Sequence, residues 1–373
     1  IMNIRMINAE SSSDRKAFTN LPFRIYKNNQ FWVPPFETEL SLVLDRTKHP
    51  MYEHSTADFF IVESGKEVVG RIAVIHNKNY CRFHNEEIGF LYYFEAEDDL
   101  EISRLLFSSV FDWCRKRGLK SVVGPKGMIR SSGTGLLIKG FDFYPAMGIL
   151  YNMPYYASMW EDSGLTKLSD YSSGFMTRDF QLPEKIHEMA DRVRKRGNFW
   201  IKTFTNSSEI RNWIPRIEIV HDEAFSKNPS FHPSTPAEFR MMAENLIAVH
   251  RPGLMKLIMC GEEVAGFVIS HPDIYAALQR TKGKLYPFGW IDILNEMRHT
   301  KVGDLNGIGI LPKFQGLGAN LLVYSEMDKT LRATQWERAE LIQVDERNYK
   351  SKSDMENMGV TFHKIHRVFT RDI

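Results

Sequence analysis

The sequence predicts two tandem α+β domains, residues 1–180 and 181–373, each a mixed central sheet flanked by helices. Three observations carry this. Landmarks recur through the chain at nearly one spacing, strand-length and helix-length patterns alternate in both halves, and one stretch after residue 302 reads as strand, glycine turn and helix start in immediate succession.

The spacing is concrete. Val68-Val69-Gly70 follows the turn Ser64-Gly65-Lys66, and Val264-Ala265-Gly266 follows Gly261-Glu262-Glu263, with Gly70 and Gly266 196 residues apart. Asn152 and Asn348 are also 196 apart, and Gly164-Leu165 precedes Gly359-Val360 by 195. The pairs Leu105-Leu106 and Leu321-Leu322 differ by 216. The larger offset marks extra residues in the second copy, roughly 271–291, with a compensating insertion in the first, roughly 124–145.

In the first copy, residues 4–8 read as a strand and 14–28 as a helix. Residues 58–63 and 67–76 read as strands paired through the Ser-Gly-Lys turn. Residues 88–94 are the next strand. A helix over 100–117 stops at Gly118, and 119–123 form a fifth strand. Residues 154–163 are a helix opened by Pro154 and stopped by Gly164. In the second copy Pro183 opens a helix to 195. A strand at 200–205, helices at 208–225 and 236–250, and a hairpin at 254–270 follow. After the extra segment come a strand at 303–311, a helix to about 331, a strand at 339–344, a helix at 349–358 and a last strand to 371.

Composition limits the function. Hydrophobic content of 43% and charged content of 25% suit globular domains with real cores, and a net charge of +2 without Lys/Arg runs argues against nucleic acid. Cys81, Cys114 and Cys260 lack metal-ligand spacing, so no metal is expected, and they read as reduced thiols of a cytoplasmic chain. No apolar run reaches the length of a membrane span, and no signal-like segment is seen.

The chemistry concentrates in 305–322. Alternation ends at Pro312, which cannot continue a ladder. Residues 315–319 then make a glycine turn, and Leu321, Leu322, Tyr324 and Ser325 start an amphipathic helix. Bare N–H groups and the macrodipole at such a start attract phosphate, and Lys313 adds a positive charge. The first copy has Glu95-Ala-Glu-Asp-Asp-Leu-Glu101 at the corresponding place, without glycine and with five carboxylates, which repel phosphate. The bland reading of 305–322 is an ordinary strand-to-helix turn.

Gln315, Gly316, Leu317, Gly318 and Ala319 resemble the acyl-coenzyme A motif of the GNAT N-acyltransferase superfamily, Arg/Gln-x-x-Gly-x-Gly/Ala, with Asn320 standing where Gly or Ala is usual. The chain as a whole resembles a bacterial family of uncharacterised tandem GNAT proteins. The resembling residues are Asn152-Met-Pro-Tyr-Tyr156, Asn228 with Phe231 and Pro233, His271-Pro-Asp273, Gly283-Lys-Leu-Tyr-Pro-Phe-Gly289, Gly309-Ile-Leu-Pro312 and Glu346-Arg-Asn348. The resemblance implies acetyl-CoA or another acyl-CoA as co-substrate, held by residues 315–320 and by Asn348. It implies backbone donors near Ile310 and Leu311 for the thioester oxygen, and a small-molecule or peptide amine as acceptor. The first copy is then a structural or acceptor-side domain.

The Tyr that commonly protonates the leaving thiolate aligns with Met355 here, leaving Tyr324 or Tyr349 as substitutes. Candidate bases are Asp304, Glu346, and Asp222 with His221, each of which also reads as an ordinary surface group. Asn348 reads equally as a helix cap. The aromatic segment 275–290 suits either an acceptor pocket or a helix pair packed on the sheet, and the glycines of 127–140 either a lid or an ordered loop. Two other functions fit the architecture. One is a non-catalytic acyl-CoA-binding module. The other is a peptidyltransferase like the Fem proteins, which use aminoacyl-tRNA, although no basic tract or coiled-coil arm is present.

Overall fold

The computed structural model describes residues 2–251 and 253–373. Its elements in chain order are β1 (Met2–Met6), α1 (Ser12–Ile25), α2 (Glu37–Val43), β2 (Thr56–Ser64), β3 (Glu67–His76), α3 (Lys78–His84), β4 (Ile88–Ala96), α4 (Leu100–Arg115), β5 (Ser121–Gly124), β6 (Leu136–Lys139), α5 (Tyr156–Asp162) and β7 (Thr166–Thr177). There follow α6 (Glu184–Arg196), β8 (Phe199–Thr203), α7 (Ser207–Phe225), α8 (Pro236–Ala248), β9 (Met255–Cys260), β10 (Glu263–Pro272), α9 (Tyr275–Thr281) and α10 (Gly289–His299). The chain ends with β11 (Val302–Ile310), α11 (Ala319–Ala333), β12 (Arg338–Asp345), α12 (Tyr349–Asn357) and β13 (Thr361–Asp372).

These elements form two compact units. The first holds residues 2–172 with Tyr275–Ile293 and Lys364–Ile373; the second holds Ser173–Ile274 and Leu294–His363. In the first, the strands run β1-β2-β3-β4-β5, followed by the later part of β13, whose Phe369–Asp372 pair antiparallel with β5. In the second they run β8-β9-β10-β11-β12, with residues 173–177 of β7 beyond β12. The tandem mixed-sheet α+β architecture is the one the sequence predicts.

Each unit repeats one device. In the first, β4 and β5 pair in parallel only over Ile88–Phe90 and Ser121–Val123. In the second, β11 and β12 pair in parallel only over Val302–Leu305 and Arg338–Leu341, and then part. The core of the second unit gathers Phe267, Val268, Leu305, Leu322, Met327, Trp336 and Leu341 between sheet and helices. That of the first gathers Phe94, Leu106, Phe107, Val110, Tyr156 and Trp160. Helix α4 buries a continuous stripe including Ile102, Leu106, Val110 and Trp113, the helical period that marks its sequence.

Several elements are not announced by the sequence. Strand β7 contains Lys167, Ser169, Asp170, Ser172 and Ser173, too polar to read as a strand, yet Ser169, Ser172 and Ser173 are buried. Helices α2 and α3 have seven residues each, too short for a clear period. Segment Tyr275–Ile293 joins the first unit, where Tyr275 stacks on Tyr144 at 4.2 Å. Tyr286, Phe288 and Trp290 are solvent-exposed, so they line no closed acceptor pocket.

Candidate functional site

Between β11 and α11 the chain turns through two glycines in the left-handed region, Gly316 at φ 80° and Gly318 at φ 84°. A Cβ on Gly318 would sit 2.6 Å from the Val193 side chain, so only glycine lets α6 approach this closely. Over Gly316 nothing lies within 4 Å. Gly318 is the N-cap of α11 and offers no side chain to cap it, so the first N–H groups of the helix, from Ala319 and Asn320, point outward without a side-chain acceptor from the cap. Gln315 folds back, its side-chain amide donating to the Ile310 carbonyl at 3.0 Å. Lys313 is exposed and paired with Glu263, which raises its pKa.

The turn opens onto a cavity of about 370 Å³ in the second unit. Gln315, Gly316 and Asn320 line it on one side, Asn348, Ser351 and Asp354 on another. Much of its lining is apolar and rich in methionine, with Met176, Met327, Met355 and Met358 beside Ile308, Ile310, Val323, Leu341 and Val360, and Asp328 also borders it. Thioether side chains fill irregular space and yield to a flexible ligand. Ala319 is buried and Leu317 is 59% exposed, so these two contribute backbone rather than lining side chains.

The remaining sequence candidates fall in different places. Tyr324 lines the cavity, half-buried, its phenol pushed up to about 12 by burial and then by the Asp354 carboxylate. Met355 lines it too, where the resemblance expected an acid. Asn348 borders the cavity and also caps α12, its side chain accepting from the Ser351 N–H at 3.3 Å. Glu346 is exposed and lies outside the cavity lining, as does Tyr349 at 78% exposure.

The two backbone donors differ. Leu311 N–H is already donated to the Ala265 carbonyl at 2.9 Å, which corrects its expected role toward a thioester oxygen. Successive N–H groups of a strand point to opposite edges, so Ile310 N–H faces the side where β11 and β12 part. The Ile310 carbonyl, held by Gln315, points the same way.

Asp304 belongs to a buried polar row that single-strand reading misses. It pairs in register with His271 of β10 and with Glu340 of β12. His271 Nδ1 lies 3.7 Å from its carboxylate. Glu340 in turn meets Arg338 at 2.6 Å and His363 at 3.7 Å. Asp304, His271 and Glu340 are at most 1% exposed, and burial holds His271 at about 4, neutral at pH 7. The register puts His271 on the sheet face of Phe267, which stacks under His221 of α7, whereas Ile308 and Ile310 line the cavity from the other face. Asp304 therefore sits on the α7 face, one rung before the strands part. The signal in sequence is Asp304, the one charged residue of β11, and Glu340 between the apolar Ala339 and Leu341 of β12; only register shows that they stand opposite each other.

The first unit contrasts at the same place. The Ala96 N–H donates to the Tyr156 hydroxyl at 3.1 Å, and the Ala96 carbonyl accepts from Tyr155 at 2.8 Å. Tyr26 and Tyr156 both donate to Glu95 Oε2 at 2.7 Å, and burial raises the Glu95 pKa. Asp99 caps α4 through the Glu101 N–H at 2.8 Å. Where α11 presents bare glycine, α4 is closed by its own side chains. Among the described residues no cluster of His, Cys, Asp or Glu is arranged to hold a metal, and no helix is long and apolar enough to cross a membrane.

No family model matches the chain. In sequence it is 28% identical over 379 residues to a bacterial ceramide synthase of Caulobacter vibrioides (strain NA1000 / CB15N), covering 99% of this chain and 97% of that protein. It is 24% identical over 371 residues to protein YghO of Escherichia coli (strain K12), covering 97% of this chain and 94% of that one. In structure it resembles a tandem GNAT protein from the clavulanic acid biosynthesis pathway, with a TM-score of 0.59, 10% identity, and coverage of 100% of this chain and 98% of that one. That likeness shows the fold: two GNAT-type domains in tandem.

Proposed function

We propose that this chain, which has the tandem GNAT fold, is an acyl-CoA-dependent N-acyltransferase whose donor site is the cavity of the second unit and whose acceptor is a long-chain amine. The observation that carries the reading is the uncapped glycine start of α11 opening onto an apolar cavity beside two parting strands. The helix start suits a pyrophosphate, and the open space over Gly316 admits it without a clash. The methionine-lined interior suits a pantetheine arm and an acyl chain. The ceramide synthase relative favours the acceptor class, because a ceramide is the amide of a fatty acid with a long-chain amino alcohol.

Each residue has a chemical task in this reading. An alkyl ammonium must lose a proton before its nitrogen attacks the thioester carbon. In this reading Asp304, buried on the α7 face beside His271, receives that proton through an intervening water. Ile310 N–H stabilises the carbonyl oxygen as the C–N bond forms. The C–S bond then breaks as Tyr324, still protonated at neutral pH, gives its proton to the departing thiolate and regains one shed by the new amide nitrogen.

Thiol release from palmitoyl-CoA and from acetyl-CoA, with sphinganine as acceptor and the amide product weighed by mass spectrometry, tests the reading. Amide formation supports it. Absence of both turnover and coenzyme A binding would sink it. Met355 at the usual acid position, with the Leu311 N–H already engaged, favours one second reading, a non-catalytic acyl-CoA-binding module. Tight binding without thiol release from any amine identifies that case.

A further inference from the structure

The first unit carries an exposed aromatic tip on a fixed base. In α9, Ala277 and Leu278 are buried, and the Gln279 side-chain amide donates to the carbonyls of Gln30 and Trp32 at 2.8 and 2.9 Å. Glu37 N–H donates to the Gly283 carbonyl at 3.0 Å, and Trp290 N–H closes the loop on Leu285 at 3.0 Å. From this base project Tyr286 at 78% exposure, Phe288 at 72%, Ile291 at 49% and Trp290 at 47%. Clustered large apolar side chains held outward mark an interaction surface.

Charge selects the partner. No carboxylate occurs from Ile274 to Ile291, while Lys282 and Lys284 are both exposed there. Asp292 is paired with Arg280 at 2.8 Å, and among the described residues the one exposed acid bonded to the tip is Glu37, through its N–H on the Gly283 carbonyl, against the two lysines. A second copy docking tip to tip would set these lysines against their own images, because a two-fold contact presents the same patch twice. A bilayer interface with anionic lipid has no such conflict. It takes Tyr, Trp and Phe at the headgroup level and attracts the flanking lysines.

We propose that the tip at residues 282–291 docks the protein on an anionic phospholipid surface. This goes beyond the acyl-transfer reading and does not depend on it. The full chain is floated with vesicles of phosphatidylcholine alone and of phosphatidylcholine with one-quarter phosphatidylglycerol. Retention on the anionic vesicles is expected, with affinity falling roughly fivefold for each of Lys282→Gln and Lys284→Gln. The triple variant Tyr286→Ser/Phe288→Ser/Trp290→Ser should lose at least about tenfold. Its thermal melt should match that of the parent, since all three side chains face solvent. Failure of the parent to float, or equal flotation of a folded triple variant, overturns the proposal. So does a concentration-dependent dimer that the triple variant abolishes, which would assign the tip to a second copy.

Discussion

Gln315 donates its side-chain amide to the Ile310 carbonyl at 3.0 Å, so the glycine turn is tied to the last residue of β11. One bond thus sets the distance between the start of α11 and the edge where β11 leaves β12. Gln315→Ala removes one hydrogen bond at an exposed site, a loss of about 1 kcal/mol, and should weaken coenzyme A binding about fivefold by calorimetric titration.

Asn320→Glu is the sharper probe of the same place. A carboxylate in the first turn of a helix favours the helix by about 0.3–1 kcal/mol, so the fold should hold or gain slightly. The same charge would face the pyrophosphate. Coenzyme A affinity should fall at least about tenfold, and unchanged affinity in the folded variant would remove the ligand from this turn. Gly318→Glu serves less well, because the left-handed backbone and Val193 penalise any side chain there.

Tyr324→Phe separates binding from chemistry. The phenol, pushed up to about 12, carries its proton throughout the neutral range, and removing it takes away the proposed acid without emptying the cavity. Expected in steady-state kinetics is a fall in kcat of about a hundredfold with KM nearly constant. A coenzyme A thiolate leaves tolerably without help, so an unchanged kcat would show that water supplies the proton.

Tyr156→Phe tests the closure of the first unit. It strips a hydrogen bond from buried Glu95 and leaves the Ala96 N–H without its hydroxyl acceptor, which should cost about 1–3 kcal/mol in urea unfolding. Glu97→Lys with Asp98→Lys, on the surface beside it, should leave coenzyme A affinity unchanged. A large change would mean that the first unit binds the donor.

Stability should fall as acid is added. His271 and His366 are fully buried, and burial holds both at about 4, against 6.5 when unfolded. His366 has its Nε2 on the Leu150 carbonyl at 2.8 Å, which partly offsets the shift. The unfolded chain therefore takes up protons below pH 6.5 that the folded chain refuses. The stability each neutral ring confers is intact above pH 6.5 and is lost progressively down to about pH 4, about 2 kcal/mol per histidine between pH 7 and 5. Urea midpoints across that interval check this, and His366→Gln should flatten the slope. An equal slope in the variant would assign the pH dependence elsewhere.

Much of the fold was legible because its cues are local. The hairpins at 58–76 and 254–270 have near-continuous apolar runs on either side of a glycine turn, and both formed there. The start of α11 was legible through Pro312, the two glycines and the apolar period that follows. The polar strand β7 and the short helices were not, because neither period nor propensity marks them.

The sequence by itself determined the duplication, the order of most strands and helices, and which copy keeps a bare helix start: Gly318 in the second against Asp99 in the first. Tertiary structure alone decided that β13 delivers residues 364–373 to the first unit, and that Asp304 stands between His271 and Glu340. It also decided that Leu311 commits its N–H to Ala265. The physical reason is that turns, caps and periods are written within a few residues. Strand partner and register are fixed by packing between distant segments, where a slip of one residue exchanges the two faces of a strand.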